Sequence, residues 1–394
     1  METNRYTALD ILRGVTIAVM IIVNNPGGKA FTFLRHAPWH GCTPTDLVFP
    51  FFLFIVGAAM SFSFSKFSGG LNKEAVQKLL IRGCLIFITG LLLNAFPFYP
   101  IAPKPELSWG VNYMNYVQNL RIFGVLQRIG MAYMFGGLLA LWLHKPKKIV
   151  YGVVAVLLIH WAILYFFGGD EPYSKEGNIS GPIDIWLVGV SHVYKGHGLP
   201  FDPEGVLGVI SSAGTLLLGY LVGGIIQRSH RKIDTVGLLY TLSLISIGVG
   251  IVWGILLPIN KPLWTGSYVL YTAGWSTMFL AFFIYIVDIV GSIGKIKFEK
   301  VLYPFKALGM NPLFIFVAAG VLAKVARMFA WQSSVVAADG TSVRYTFLSW
   351  FYRHVCIPIF GNNEYSSLVY SLCYITLFTL VAVFLYRKKI FIKL

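Results

Sequence analysis

His36 stands in a polar loop with Asn24, Asn25, His40 and Asp46, between two strongly apolar stretches of the chain. An imidazole titrates near neutrality, so it can take a proton from an attacking amine or hydroxyl, or attack a thioester itself. Asp46 can orient such a histidine as a further member of a relay, or hold the amino group of an acceptor. The Asn24 amide can polarise a carbonyl. The same residues also have structural readings. A histidine can cap a helix, and Pro26-Gly27-Gly28 reads as a helix stop followed by a turn. Thr43-Pro44-Thr45-Asp46 reads as a helix start, with a threonine cap, proline in the first turn and an acid on the positive end of the dipole.

Other polar residues sit where apolar sequence makes them costly. Gln127 and Arg128 lie inside an apolar segment, and an arginine at such depth needs a partner or a wet cavity; a carboxylate such as Asp46, or an anionic or carbonyl-bearing ligand, would serve. Asp202 and Glu204 precede another apolar segment and could hold a cationic or hydroxylated ligand, or act through helix-start electrostatics. Asp10, Arg13, Asp288, Lys306 and Asn311 gather at the ends of several segments, next to basic loops suited to a phosphorylated cosubstrate or to anionic lipid headgroups.

The elements that must position these groups are membrane helices. Of 394 residues, 56% are hydrophobic and only 12% charged, and mean hydropathy is +0.70, which excludes an ordinary soluble domain. A span needs about 20 apolar residues. About ten segments qualify, near 10–27, 44–65, 77–96, 121–143, 148–167, 205–227, 235–258, 264–288, 305–327 and 365–386, with Phe347 to Phe360 as an interfacial or re-entrant stretch, or else an eleventh span. The expected fold class is therefore an all-α polytopic bundle forming a single domain, 1–394, with no soluble second domain. The first apolar run is interrupted by Asp10 and Arg13, so it reads as a retained anchor and not as a cleaved signal.

A net charge of +16 could suggest nucleic acid. Sorted by connection, however, the lysines and arginines cluster at 66–82, 145–148, 228–232, 295–306 and 387–393, every second connection, while the alternate connections are poor in them, as the positive-inside rule expects of cytoplasmic loops. Both termini are then cytoplasmic, and the His36 loop faces away. Of the four cysteines only Cys42 and Cys356 fall on the oxidising side, where they could form a disulfide. No spacing suits zinc, a P-loop or a nucleophile elbow, so no metal is expected. The absence of an internal repeat argues against many transporter folds.

Several strings resemble one family. They are LDILRG at 9–14, Val23-Asn24, HAPWHGCTPTDLVFPFFLF at 36–54, RIFGVLQRIG at 121–130, FDPEGVLG at 201–208, LWTGSYV at 263–269 and LGMNPL at 308–313. Together they resemble the heparan-α-glucosaminide N-acetyltransferase family, and the stretch from His36 to Pro50 is the most specific. The resemblance implies transfer of acetyl from cytoplasmic acetyl-CoA to the amine of a glucosamine across the membrane. It implies His36 as the catalytic histidine, with Asn24 and Asp46 assisting. It draws Asp10, Arg13, Gln127, Arg128, Asp202, Glu204, Trp264, Ser267, Tyr268 and Asn311 into substrate or acetyl-CoA binding, and it implies a homodimer. The short leader before the first span resembles bacterial members, so the expected setting is a bacterial inner membrane and the expected acceptor is free glucosamine or an amino-sugar oligosaccharide. His40 stands where the lysosomal members are expected to carry asparagine.

His36 would act either as general base or as an acetyl carrier, and the sequence leaves both routes open. Two other functions fit the same polar groups: a transporter for a sugar or organic anion, and an O-acyltransferase acting on a cell-envelope glycan.

Overall fold

The computed structural model describes residues 6–65, 70–101, 103–229, 231–291, 298–336 and 342–392. Among them, nine helices are long and apolar enough to cross a membrane, and a bent pair supplies a tenth span if counted as one. The protein is an all-α polytopic membrane bundle, as expected. The first spans are α1 (Thr7–Asn24), α2 (Val48–Phe64, led by a 3₁₀ turn at Pro44–Leu47) and α3 (Lys73–Ala95). After a short helix α4 (Trp109–Gln118) come α5 (Val125–Leu143) and α6 (Pro146–Phe167). A second short helix, α7 (Ser180–Val188), precedes α8 (Gly208–Arg228), α9 (Lys232–Trp253) and α10 (Gly266–Phe283), which runs on as a π-helical turn to Val290. The bent pair is α11 (Tyr303–Met310) and α12 (Pro312–Met328), and α13 (Glu364–Arg387) closes the chain.

Lipid tails are as apolar as leucine, so helices in a bilayer associate through close backbone packing at small residues. Two reciprocal glycine contacts do this here. A Cβ on Gly57 of α2 would fall 2.0 Å from Leu216 O of α8, and one on Gly219 of α8 would fall 2.0 Å from Phe54 O of α2. Gly14 of α1 and Gly309 of α11 are matched in the same way, against Phe305 O and Asp10 O. These contacts place α1, α2 and α8 inside the bundle, while α3, α6, α9 and α13 present most of their surface outward.

Two expectations are corrected, and a third alternative is decided. The segment 305–327 is not one straight span: it bends by 85° between Met310 and Pro312, because Pro312 has no N–H to continue the ladder and forces the preceding residue out of helical geometry. The stretch from Phe347 to Phe360 is two helical pieces, Phe347–Phe351 and Ile357–Phe360, around a π turn, and is not among the spans. It follows a hairpin of Trp331–Val336 with Ser342–Tyr345 that the apolar pattern did not foreshadow. Cys42 and Cys356 are both free thiols, the first in the His36 loop and the second packed against Tyr352 and Tyr370.

Candidate active site

Asp46 sits in the turn that starts α2, and that turn aims its carboxylate. Oδ2 accepts from the Thr43 N–H (3.1 Å) and the Ala37 N–H (3.0 Å), and Thr43 Oγ1 shares its single proton between Oδ2 (3.0 Å) and Arg35 O (2.7 Å). From α10, the Tyr268 hydroxyl donates to the backbone carbonyl of Asp46 (2.6 Å). With one oxygen saturated and the residue buried, only Oδ1 is left to face the loop. It meets His36 Nδ1 at 2.6 Å and Lys261 Nζ at 3.2 Å.

Lys261 Nζ also lies 3.0 Å from His36 Nδ1. One ring nitrogen cannot both donate to a carboxylate and accept from an ammonium. At 2.6 Å from a carboxylate oxygen, Nδ1 is assigned the proton, and Asp46 Oδ1 becomes the acceptor for Lys261 as well. The neutral ring then keeps its lone pair on Nε2, and about half of the His36 side chain is exposed. A cavity of about 130 Å³ brings His36 together with Asn24, Thr45, Lys261 and Glu204 over an apolar floor from α1, α2 and α5. Asn24 is the last residue of α1, which carries its amide to this end of the bundle.

Asn260 and Lys261, in the α9–α10 connection just before the 263–269 string, were not singled out from the sequence, yet they complete the site. Gly41 N–H donates to Ile259 O (2.7 Å), Asn260 Nδ2 donates to Trp39 O (3.1 Å), and the Leu263 N–H returns to Asn260 Oδ1 (2.7 Å). This lock fixes Lys261 against Asp46. A lone lysine in an apolar hairpin, on the side where the positive-inside rule expects few, was the available signal. His40 stands on the lock, with Nδ1 3.3 Å from Asn260 Nδ2, and burial holds its imidazole below the ordinary value. Burial and the Asp46 charge push the Cys42 thiol up to about 12.

The remaining expected residues divide into groups. Asp202 is buried and saturated: it chelates Arg121 Nε (2.9 Å) and Nη2 (2.7 Å) and accepts from the Tyr194 and Glu204 N–H groups. Arg121 Nη2 also reaches Glu204 at 2.5 Å, and these two carboxylates hold the guanidinium firmly protonated. Asp202 is thus a structural anchor, whereas Glu204 also lines the His36 cavity. Gln127 Nε2 donates to Ile122 O (2.8 Å). Arg128 does not pair with Asp46: it is buried over the Trp264 ring (5.2 Å) and donates through Nη2 to Gly205 O (2.7 Å), because its helix turns it toward the start of α8. Nearby, burial raises the Asp184 carboxyl to about 7. Trp264 Nε1 bonds Thr215 Oγ1 (3.1 Å) and Ser267 Oγ bonds Leu257 O (2.6 Å), so both brace α10.

Asp10, Arg13 and Asn311 lie at the opposite end. Arg13 Nη1 pairs with Asp10 Oδ1 (3.0 Å), and Asn311 clamps the chain end through Ile390 O (3.0 Å) and the Ile392 N–H (2.8 Å). Beside them a second cavity of about 380 Å³ is lined by Arg13, Arg82, Tyr133 and Met310. The two cavities share helix faces: Phe49 and Phe52 of α2, and Val125 and Ile129 of α5, belong one to each, a single turn apart. Among the described residues no cluster of histidine, cysteine, aspartate or glutamate could hold a metal ion.

The chain is 27% identical to the heparan-alpha-glucosaminide N-acetyltransferase of Mus musculus, over all of its own length and 61% of that protein. It is 27% identical to the Homo sapiens protein of the same name, over 99% of its own length and 60% of that protein. It therefore spans about three fifths of the length of these curated relatives. Residues 5–235, which include the whole of the His36–Asp46 turn, match the family model described as heparan-alpha-glucosaminide N-acetyltransferase, catalytic. The chain belongs to the heparan-alpha-glucosaminide N-acetyltransferase catalytic family.

Proposed function

We propose that the chain is a transmembrane acetyltransferase that moves acetyl from acetyl-CoA, entering at the Arg13 end, to the amine of glucosamine or of a terminal glucosamine residue at the His36 end. The observation that carries this reading is the 2.6 Å contact of His36 Nδ1 with a buried, aimed carboxylate at the wall of a cavity that Asn24 also lines. Family membership supports the reaction class and an acceptor of the amino-sugar kind. Positive-inside sorting makes the Arg13 end cytoplasmic.

In this reading His36 Nε2 removes a proton from the sugar ammonium, and the neutral amine attacks the thioester carbonyl. The C–N bond forms and the C–S bond breaks. The thiol leaves with the proton that the adduct nitrogen sheds, and the proton on His36 goes to water. The Asn24 amide N–H groups face the oxygen that gains charge. Arg13 and Arg82 suit the phosphates of the donor. The paired apolar faces of α2 and α5 suit its pantetheine arm, which would reach from the larger cavity to the smaller.

The test is purified protein in nanodiscs with labelled acetyl-CoA and glucosamine. His36→Ala is expected to lose about 10³-fold in kcat, within the range of general-base deletions, and Asn24→Ala about 10²-fold. Without acceptor no stoichiometric release of CoA is expected. Equal rates for wild type and His36→Ala would sink the proposal, and a CoA burst without acceptor would replace direct transfer by a carrier route. Uptake of unmodified sugar into sealed proteoliposomes, with no dependence on acetyl-CoA, would instead establish a transporter.

A further inference from the structure

Helices joined by a short connection ordinarily pack along one another. α8 and α9, joined just after Arg228, hardly touch: α9 lies on α10, while α8 lies on α2, α5 and α6. The gap between them is an outward-facing groove of about 760 Å³, floored by Phe54 and by the Leu270–Thr277 face of α10. Its hydroxyls are already used. Thr277 Oγ1 donates to Ala273 O (2.8 Å), Ser246 Oγ to Leu270 O (2.7 Å) and Thr235 Oγ1 to Arg231 O (3.0 Å). Along its length the groove offers aliphatic walls and no unspent hydroxyl, so a sugar or nucleotide would be desolvated there without compensation.

Charge returns only at the mouth. Arg228, ending α8, and Asp234, in the first turn of α9, line the same opening, and among the described residues neither has an ion-pair partner; Arg228 Nε donates to Gly224 O (3.0 Å). A cation and an anion at the entrance of a dry channel complement a zwitterionic headgroup, phosphate on guanidinium and ammonium on carboxylate. The α9 wall from Asp234 to Val249 rises about 22 Å over fifteen residues at ~1.5 Å each. One leaflet holds about 15 Å of hydrocarbon, so a chain entering at the mouth lies full-length inside.

We infer that this groove is a binding site for one phosphatidylethanolamine-type phospholipid, with an acyl chain along α8 and α9 and the headgroup across Arg228 and Asp234. The site is separate from the acetyl-transfer cavities and does not depend on the reading proposed for them.

The experiment uses the full chain, delipidated in detergent and titrated with palmitoyl-oleoyl phosphatidylethanolamine or phosphatidylglycerol, with bound lipid counted by native mass spectrometry. One phosphatidylethanolamine per chain is expected, held about fivefold tighter than phosphatidylglycerol, the worth of one exposed ion contact. Leu242→Trp, which fills the groove from a partly exposed position, is expected to abolish the stoichiometric species. Asp234→Asn is expected to erase the headgroup preference while leaving a lipid bound. Monodisperse elution and an unchanged melting temperature show that each variant is folded. Equal occupancy in wild type and Leu242→Trp, no headgroup preference in the wild type, or a chain dimer that excludes lipid would each overturn the inference.

Discussion

Two clusters of carboxylates and cations lie at the same end of the bundle. In Arg121–Asp202–Glu204, the guanidinium fork and two backbone N–H groups saturate Asp202, and nothing of that carboxylate is left exposed. In His36–Asp46–Lys261, the carboxylate is equally buried, but its free oxygen is spent on an imidazole whose other nitrogen remains available and whose side chain is about half exposed. The difference lies in what the buried charge leaves unsatisfied. A closed cluster holds the segment before α5 against the start of α8, whereas an open one holds a proton acceptor over a cavity.

Substitutions that swap these behaviours would break the comparison. Asp46→Asn keeps the shape of the turn but can present its N–H to Nδ1 and reverse the tautomer. It should cost about 10³-fold in kcat, about 4 kcal/mol, with KM for acetyl-CoA little changed, and steady-state kinetics would reveal it. Arg121→Gln leaves Asp202 buried without its cation. It should cost about 2–3 kcal/mol of stability, less than a fully buried pair because Arg121 is 30% exposed, and should lower the melting temperature while folded protein keeps its kcat. If Arg121→Gln instead left stability intact and stopped turnover, the division between the clusters would be wrong.

Lys261→Met sharpens the comparison within the open cluster. Removing the ammonium leaves His36 Nδ1 as the one side chain on Asp46 Oδ1. It should lower kcat about tenfold, less than Asp46→Asn, with the melting temperature little changed; steady-state kinetics and thermal unfolding decide. The smallest effect is expected at Cys42, whose thiol is pushed up to about 12 and is therefore protonated at any working pH. Cys42→Ser should stay within about twofold of wild-type activity, and maleimide at pH 8 should leave Cys42 unmodified by mass spectrometry.

Much of the architecture was legible in the chain. Apolar length located most of the spans. The bend between Met310 and Pro312 was not anticipated, although Pro312 marks it, because a hydropathy window averages across the break. The hairpin of Trp331–Val336 with Ser342–Tyr345 was also missed, since a short strand pair leaves little mark in a chain read for spans. At the candidate site, His36, Asn24 and Asp46 were legible because they share one polar loop and one specific string. Lys261 was not, because it stands 225 positions from His36 and reaches it only through the lock of Gly41 and Asn260.

The roles expected of Arg128, Asp202 and Asn311 show the same limit from the other direction. Sequence places a polar group at a depth in the membrane, where it must find a partner, but the partner is a matter of which way each helix turns. By itself the sequence determined that this is a membrane bundle, roughly which stretches span it, and which loop carries an imidazole beside a carboxylate, because hydrophobic length and local spacing act within a few residues. Only the tertiary structure decided that Asp46 faces His36 and Lys261, that Arg128 turns to Gly205, and that α8 and α9 part to leave a groove. Those outcomes depend on glycine-mediated approaches and long-range hydrogen bonds between helices far apart in the chain.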